Sequence, residues 1–191
     1  AEGKKVPKWV LEMLESGRET FYSVENGQRT YWCPSGKHPV KIKQNPKEFN
    51  LVLHKTAGHT IKRDLSASVN DMGDGILNVE FHSILQPRLN PIDSSYVEMV
   101  NHALDLIDEG KYKALVLGHQ GPNFSAGANL NLFLDLTHNQ QWEALDFAVN
   151  TFQKMTQRIR FSKGPVIAAP FQSTLGGGTE IIQPAAHRVV A

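Results

Sequence analysis

The sequence has little cysteine, little net charge and no long apolar run. Cys33 is the single cysteine among 191 residues, so no disulfide can form within the chain and a reducing compartment is expected. The formal net charge of +1 argues against a nucleic-acid-binding protein that works through a large basic face. No apolar run approaches the roughly 20 residues that a membrane-spanning helix needs. The sequence therefore predicts no membrane span and no nucleic-acid partner.

The N-terminal residues do not have the pattern of a secretory signal peptide. Residues 1–5 are Ala-Glu-Gly-Lys-Lys, and no apolar stretch follows these charged residues. Together with the single cysteine, this predicts a cytoplasmic protein. The first residue is not Met, which we interpret as the start of a piece of a longer protein. Apolar residues make up 40% of the chain, enough for a packed core.

Residues that often bind metals or act as nucleophiles are present without a supporting pattern. None of the eight histidines has paired metal-ligand spacing, and the pair His54 and His59 is a weak candidate, so no metal site is predicted. A structural role is favoured for Cys33, because no histidine base can be assigned to it from the sequence. His119 follows an apolar run, where a surface loop position is favoured over a position that lines a pocket.

The first part of the chain, residues 1–65, has the features of a junction segment. A short helix is predicted from Trp9 to Leu14, ended by Gly17. Two β-prone runs between residues 21 and 32 flank Asn26-Gly27, a strong signal for a β-hairpin. Several prolines follow. We therefore expect a linker with one hairpin and little core of its own.

From about residue 66 to residue 191 the pattern alternates between strands and helices. Strands are predicted at 75–81, 114–117 and 165–169, and helices at 94–109 and 141–161. Ser95 and Glu98 fit a capping box at the start of the first helix, and Gly110 can end it. This order is typical of an α/β domain in which helices connect parallel strands.

Two loops that follow predicted strands are the candidates for chemistry. Residues 123–130 read Asn-Phe-Ser-Ala-Gly-Ala-Asn-Leu, and residues 172–180 read Gln-Ser-Thr-Leu-Gly-Gly-Gly-Thr-Glu. Ligands of α/β sheets bind at the carboxyl ends of strands, and small residues leave backbone N–H groups uncovered. One N–H from each loop could converge on a carbonyl oxygen and form an oxyanion hole suited to a thioester. Glu180 could then move a proton or activate a water molecule.

Other interpretations of these loops remain open at this point. A glycine run is usually a flexible turn, and a glutamate after it often serves only as a first-turn acid of a helix. The Ser-Ala-Gly-Ala run could reflect close packing alone. A phosphate-binding loop would be expected to end in Gly-Lys-Ser/Thr, which is absent, and the sequence has no Gly-x-Gly-x-x-Gly. Nucleoside triphosphate and dinucleotide binding are therefore not predicted.

The two loops in this order, with a long helix between them, resemble the crotonase (enoyl-CoA hydratase/isomerase) superfamily. Residues 114–130 resemble its segment that ends in Ala-Gly-Ala-Asp-Leu, and residues 164–191 resemble its Pro-Val-Ile-Ala-Ala and Leu-Gly-Gly-Gly-x-Glu segment. Asn129 stands where the family has Asp. The resemblance covers about residues 66–191 and implies the front half of a crotonase-like ββα spiral, preceded by the irregular segment with its hairpin.

The resemblance also implies roles for individual residues. The backbone N–H groups of Ala128 and Gly177 would form the oxyanion hole, and Glu180 would be the first of two catalytic glutamates. Residues expected near coenzyme A come from two segments of the chain: Arg88, Leu89, Asn90, Ala126, Gly127 and Asn129. The second glutamate of the family would lie beyond Ala191.

The junction segment resembles the one in bacterial 3-hydroxyacyl-CoA dehydrogenases that carry a crotonase unit at their C-terminal end. This resemblance implies a fatty-acid β-oxidation enzyme that hydrates 2-enoyl-CoA, with NAD bound only by a dehydrogenase part outside this chain. The fragment alone would lack the second acid, so a non-catalytic acyl-CoA binding module and an isomerase stay as alternatives. Half a domain would leave an apolar sheet face uncovered, so we expect a homo-oligomer or association with the rest of the parent enzyme.

Overall fold

A computed structural model of the chain describes residues 5–45 and 48–191, which divide into two compact units. The first unit ends at His59 and the second begins at Thr60. The sequence pattern places this change near residue 66. The unit boundary lies earlier because residues 60–63 form a strand that pairs with residues 67–71.

The first unit is built on a small antiparallel sheet. Its elements in chain order are α1 (Lys8–Glu15), β1 (Tyr22–Glu25), β2 (Gln28–Cys33), β3 (His38–Lys41) and α2 (Leu51–Thr56). The strand order is β1-β2-β3. The predicted hairpin is confirmed: Asn26 and Gly27 connect the first two strands with φ angles of 48° and 73°. Positive φ at both positions is what a two-residue type I′ turn requires.

The first unit contains more structure than the expected junction. Strand β3 includes Pro39, which is tolerated because β3 is an edge strand and needs no hydrogen bond on its outer side. Helix α2 begins at a side-chain cap, where Asn50 Oδ1 accepts a hydrogen bond from the Leu53 nitrogen at 3.0 Å. Four apolar side chains of the unit are buried: Met13, Trp32, Leu51 and Leu53.

The second unit contains one six-stranded sheet and four helices in its described elements. They are β4 (Thr60–Arg63), β5 (Ala67–Asp71), β6 (Ile76–Phe81), α3 (Ser94–Asp108), β7 (Ala114–Leu117), α4 (Leu130–His138), α5 (Trp142–Arg160), β8 (Val166–Ala168), α6 (Gly177–Ile182) and β9 (His187–Arg188). The strands lie side by side in chain order. The first three are antiparallel and the last four, from β6 onward, are parallel.

The predicted strand and helix alternation is confirmed from β6 to β8, including the two connecting helices α3 and α5. Parallel neighbours need such crossover connections. Five further elements of the described residues were not predicted: β4, β5, α4, α6 and β9. Strand β9 has only two residues, and β5 alternates polar and apolar side chains that are buried on both faces, which weakens a sequence-based prediction.

Helices α3 and α5 pack on one face of the sheet and enclose the main core. Strand residues with accessibility of 2% or less alternate with polar neighbours on β5 and β6: Ala67, Val69, Leu77, Val79 and Phe81. Opposite them, α3 contributes Tyr96, Met99, Val100, Ala103 and Leu104, and α5 contributes Met155 and Ile159. Because side chains alternate across a strand, the same pattern directs the intervening residues to the other face.

The other face of β5 and β6 carries a buried polar network. Asn70 Nδ2 donates to Asn78 Oδ1 at 3.2 Å, and Asn78 Nδ2 donates to the Gly118 carbonyl at 2.8 Å, which connects the network to the end of β7. Ser68 Oγ donates to Glu80 Oε1 at 3.1 Å. Buried polar groups that are hydrogen-bonded in this way avoid most of the cost of losing water.

The predicted capping box of α3 is wrong. The N-cap is Asp93, whose Oδ1 accepts a hydrogen bond from the Tyr96 nitrogen at 3.1 Å. Ser95 instead donates to Asp64 Oδ2, and Glu98 forms an ion pair with Lys62 at 2.6 Å. Asp93 rather than Ser95 caps the helix, because Asp93 has the extended backbone that an N-cap needs. The predicted end is confirmed, since Gly110 follows the helix with a φ of 74°.

Large apolar side chains are exposed on α4 and on the first half of α5. They include Leu132 and Leu134, at 49% and 56% accessibility, and Trp142 and Phe147, at 57% and 72%. None of the helices in the described residues is both long enough and apolar enough to cross a membrane.

Tyr96 offers a test of the core, because its phenol is fully buried without a hydrogen-bond partner among the described residues. Burial also raises the pKa of this phenol far above its usual range. We expect Tyr96→Phe to raise the free energy of unfolding by about 1 kcal/mol, because an unsatisfied buried polar group is removed. Urea unfolding at neutral pH measures the change.

Tyr112→Phe is the matched control for this prediction. Its hydroxyl donates to Asp71 Oδ2 at 3.0 Å, so the same substitution removes a made hydrogen bond. We expect it to lower the free energy of unfolding by about 1 kcal/mol. A Tyr96→Phe variant that loses as much stability as Tyr112→Phe would show that the Tyr96 hydroxyl has a partner.

Candidate active site

The two candidate loops lie side by side where β7 and β8 end. The Ser125 nitrogen donates to the Ser173 carbonyl at 3.1 Å, and the Leu175 nitrogen donates to the Ser125 carbonyl at 2.9 Å. Ser125 and Thr174 thus form a parallel bridge beyond the regular sheet. The parallel pairing of the strands therefore continues into the loops and brings the two small-residue segments into contact.

Glycine is required where the loops approach most closely. Gly127 has a φ of 94°, and a Cβ atom at this position would lie 2.8 Å from the Gly177 nitrogen and 2.9 Å from the Leu175 carbonyl. A Cβ atom on Gly178 would lie 2.9 Å from the Ser125 carbonyl. These distances are shorter than van der Waals contact, so a side chain would force the backbones apart.

The structure brings together the N–H groups of Ala128 and Gly177, the two predicted oxyanion-hole residues. A Cβ atom on Gly177 would lie 3.5 Å from the Ala128 nitrogen, which places the two residues in contact. In residues 5–45 and 48–191, neither of these N–H groups donates a hydrogen bond. Ala128 is exposed and Gly177 is half-buried. Two unused donors from different loops are therefore available to one acceptor.

Glu180 lies on the same side of α6 as Gly177. Residues three apart in a helix share a face, and helical side chains lean toward the N-terminus, so the carboxylate leans toward the start of the helix. The side chain is exposed and makes no ion pair or hydrogen bond within the described parts of the chain. Residues 177–180 were predicted as loop; they form the first turn of α6, because the Glu180 nitrogen donates to the Gly176 carbonyl.

Asn90, predicted near coenzyme A, is 2% accessible and uses its side chain within the protein. Its Oδ1 accepts a hydrogen bond from the Ser83 nitrogen at 2.7 Å, and its Nδ2 donates to the carbonyls of Phe124 at 2.9 Å and Phe81 at 3.3 Å. The backbone of Asn90 is left-handed, with a φ of 45°. The side chain of Asn90 thus connects its own loop to Phe81 and Phe124, which the sequence analysis did not predict. A buried Asn is suited to this position, because Asn adopts left-handed backbone more readily than most residues.

The other residues predicted near coenzyme A border the same loop. Arg88 and Leu89 are exposed, and the Leu89 carbonyl accepts a hydrogen bond from the Ala126 nitrogen at 2.7 Å. Asn129 is half-buried at the start of α4, and its side chain makes no capping hydrogen bond. Gly127 is buried at the loop contact. Proximity to coenzyme A stays a prediction for all of these residues and for Asn90.

His119 is half-buried among aromatic rings, which differs from both positions considered from the sequence. Its ring lies 4.7 Å from Phe81, 5.6 Å from Phe124 and 5.0 Å from Phe171, measured between centroids. Its Nε2 lies 2.9 Å from the Phe124 carbonyl oxygen and 3.1 Å from the Asn90 Nδ2. Desolvation lowers the pKa of His119. A neutral imidazole therefore supports the base of the loop that carries Ala128.

The described residues contain no cluster of three or more His, Cys, Asp or Glu side chains that could hold a metal ion. The groups the site does present are two backbone N–H donors and one carboxylate. Such donors stabilise negative charge that develops on a carbonyl oxygen, and a nearby carboxylate can accept or supply a proton.

Two curated proteins are similar to this chain in sequence. The chain is 39% identical over 185 residues to a protein of Bacillus subtilis (strain 168) named "Probable 3-hydroxyacyl-CoA dehydrogenase", covering 97% of the chain and 23% of that protein. It is 28% identical over 110 residues to a "Probable enoyl-CoA hydratase" of the same organism, covering 57% of the chain and 42% of that protein. No protein-family model matches the chain. The chain thus spans less than half the length of either relative.

Solved structures show the same fold for about two thirds of the chain. An enoyl-CoA hydratase/carnithine racemase from Magnetospirillum magneticum superposes with a TM-score of 0.57 at 23% identity, over 69% of this chain and 48% of that one. The second unit therefore has the fold of the crotonase superfamily, and the chain is related in sequence to proteins named as 3-hydroxyacyl-CoA dehydrogenase and enoyl-CoA hydratase.

Proposed function

We propose that residues 60–191 bind an acyl-CoA thioester and form part of an enoyl-CoA hydratase site used in fatty-acid metabolism. The observation that carries this proposal is the contact between the two loops, which brings the unused N–H groups of Ala128 and Gly177 close together, with Glu180 in the first turn of the helix that Gly177 begins. The enoyl-CoA hydratase names of a curated relative and of the solved structures support it.

In the proposed reaction the thioester oxygen accepts hydrogen bonds from the Ala128 and Gly177 nitrogens. Glu180 takes a proton from a water molecule whose oxygen bonds to C3 of the 2-enoyl-CoA. The electrons of the C2–C3 double bond move toward the thioester oxygen, and the two N–H groups stabilise the resulting enolate charge. A second acid then supplies the proton to C2, which gives 3-hydroxyacyl-CoA. We propose that this acid comes from a part of the enzyme outside this chain.

The name of the dehydrogenase relative supports a longer arrangement. We propose that the chain belongs to a cytoplasmic β-oxidation enzyme in which a dehydrogenase part, outside this chain, oxidises the 3-hydroxyacyl-CoA product with NAD. The exposed apolar side chains of α4 and α5 support association with a second copy or with the rest of that enzyme. Arg88 and the segment 126–129 are proposed to border the coenzyme A moiety.

Two alternatives use the same loops. An acyl-CoA binding module without catalysis would need only the two N–H groups, and Glu180 would then serve only as a first-turn acid of α6. Isomerase chemistry would also use the N–H groups, with a proton moved between carbons of the acyl chain. A catalytic role of Glu180 would distinguish the hydratase and the isomerase from a binding module without catalysis.

Glu180→Gln tests the proposed acid/base role. The amide keeps the size of the side chain but cannot accept a proton, so crotonyl-CoA hydration by the full-length protein should fall about 10²- to 10⁴-fold in kcat. Stopped-flow absorbance measures the rate, and calorimetry with butyryl-CoA should show affinity unchanged within about twofold.

Glu143→Gln is the matched control, because Glu143 is an exposed acid in the first turn of α5. Both substitutions remove a charge that favours a helix dipole, worth about 0.3–1 kcal/mol each. Only Glu180→Gln should affect hydration. Equal and small losses in the two variants would leave Glu180 as a structural first-turn acid and would contradict the proposal.

Gly127→Ala tests the convergence of the loops. The added methyl group would lie 2.8 Å from the Gly177 nitrogen, so the two N–H donors should separate. The downshift of the thioester carbonyl stretch of bound [1-¹³C]butyryl-CoA, measured by infrared difference spectroscopy, should then be lost.

Gly73→Ala provides the control, because Gly73 also has a positive φ, 84°, but nothing lies within 4 Å of an added Cβ atom. This variant should lose only about 1 kcal/mol of stability from backbone strain and keep the carbonyl downshift. A full downshift in Gly127→Ala would show that the carbonyl oxygen is bound elsewhere.

A further inference from the structure

Ser125 is a buried residue of the first loop that also contacts the second loop of the proposed site. Its accessibility is 0%, and its hydroxyl bridges two backbone groups. The Oγ donates to the Asn90 carbonyl at 2.8 Å and accepts a hydrogen bond from the Gly127 nitrogen at 3.0 Å. One hydroxyl therefore fastens the turn whose next residue is Ala128.

The backbone of Ser125 holds the second loop. Its nitrogen donates to Ser173 and its carbonyl accepts from Leu175, so the loop is fixed two residues before Gly177. The side of Ser125 also packs against Gly178, where an added Cβ atom would lie 3.0 Å from the Ser125 Cβ. The residue is thus in direct contact with the neighbours of both proposed donors.

The acceptor of the Ser125 hydroxyl is itself rigidly placed. The side chain of Asn90 is bound to the carbonyl of Phe81, the last residue of β6, and to the carbonyl of Phe124, next to Ser125. A left-handed backbone at Asn90 turns its own carbonyl toward the Ser125 hydroxyl. Ser125 is therefore connected through Asn90 to the end of β6, and through its own backbone to the loop that follows β8.

We propose that Ser125 is the positioning residue of the oxyanion hole: its hydroxyl and backbone hold the Ala128 and Gly177 N–H groups at the separation needed to bind one thioester oxygen. The effect of Ser125 on catalysis rests on the proposed function. Its effect on the positions of the two N–H groups does not depend on any ligand. Within residues 5–45 and 48–191, the Asn90 carbonyl and the Gly127 nitrogen are the hydrogen-bond partners of the Ser125 hydroxyl.

Ser125→Ala removes the bridge and leaves the Asn90 carbonyl and the Gly127 nitrogen without it. A matched control is Ser68→Ala, because Ser68 is 1% accessible and its hydroxyl bonds to Glu80 within the sheet network. Both variants lose one buried hydroxyl, so both should show a similar decrease in the urea midpoint of unfolding. Only Ser125→Ala should disturb the site.

The first measurement needs no ligand. In ¹⁵N-resolved spectra of the chain, Ser125→Ala should shift or broaden the amide signals of Ala128 and Gly177. Hydrogen exchange of the Gly127 amide, which loses its acceptor, should accelerate about 10-fold or more, as expected for local opening. Ser68→Ala should leave both signals unchanged. Unchanged Ala128 and Gly177 signals in Ser125→Ala would overturn the proposal whatever the function of the chain.

The second measurement uses [1-¹³C]butyryl-CoA and free coenzyme A. Ser125→Ala should lose at least half of the carbonyl downshift seen in the wild type, while the affinity for free coenzyme A stays within about twofold, since misplaced donors affect the reacting group most. In the full-length protein, kcat for crotonyl-CoA hydration should fall about 10- to 100-fold. A wild-type carbonyl downshift retained in Ser125→Ala would overturn the catalytic part of the proposal.

These outcomes separate the two proposals. If Ser125→Ala alters the Ala128 and Gly177 amides but the wild type shows no carbonyl downshift, the proposed function fails and the fastening role stands. If Ser125→Ala does not fold, Ser125→Cys takes its place, because the thiol keeps most of the volume and is a weaker donor. A folded Ser125→Cys with wild-type amide signals and a wild-type downshift would overturn the proposal.

Discussion

The close approach of two backbone segments is the constraint on which the rest of the site depends. Residues 123–129 and 172–178 follow neighbouring parallel strands and touch without intervening side chains, which only glycine at positions 127 and 178 permits. In the described residues, the approach leaves the N–H groups of Ala128 and Gly177 without an acceptor. A sheet that pairs its strands in chain order thus produces, at its carboxyl edge, a place for an oxygen atom that carries negative charge.

This approach is held by polar groups beneath it. Asn90, Ser125 and His119 lie next to the loops, and each contacts a backbone carbonyl within them: Phe124 for Asn90 and His119, and Asn90 for Ser125. Hydrogen bonds of buried groups are directional and costly to break, so these contacts limit movement of the loops more strongly than apolar contacts would. Ala128 and Glu180 are exposed and Gly177 is half-buried, whereas Asn90 and Ser125 are buried beneath them.

Much of the second unit could be predicted from the sequence because its signals are local. The apolar run at 114–117 and the stripe along α3 set the elements, and the Gly-Gly-Gly-Thr-Glu run with Ser-Ala-Gly-Ala identified the two loops. The elements that were missed, such as β4 and the second half of the first unit, are short or buried on both faces. Strands β3 and β4 have only four residues each and helix α2 has six, and segments this short leave a weak periodic pattern in the sequence.

The sequence by itself determined which residues can lie close to a ligand: small residues in two loops and a glutamate after the glycines. It left open whether Glu180 is a first-turn acid or an acid/base group, and the structure places Glu180 in the first turn of α6. Only the tertiary structure decided that Ala128 and Gly177 are neighbours, and that Asn90 and Ser125 work inside the protein. The physical reason is that hydrogen bonds between segments far apart in the chain follow from strand order and close packing, which no local pattern encodes.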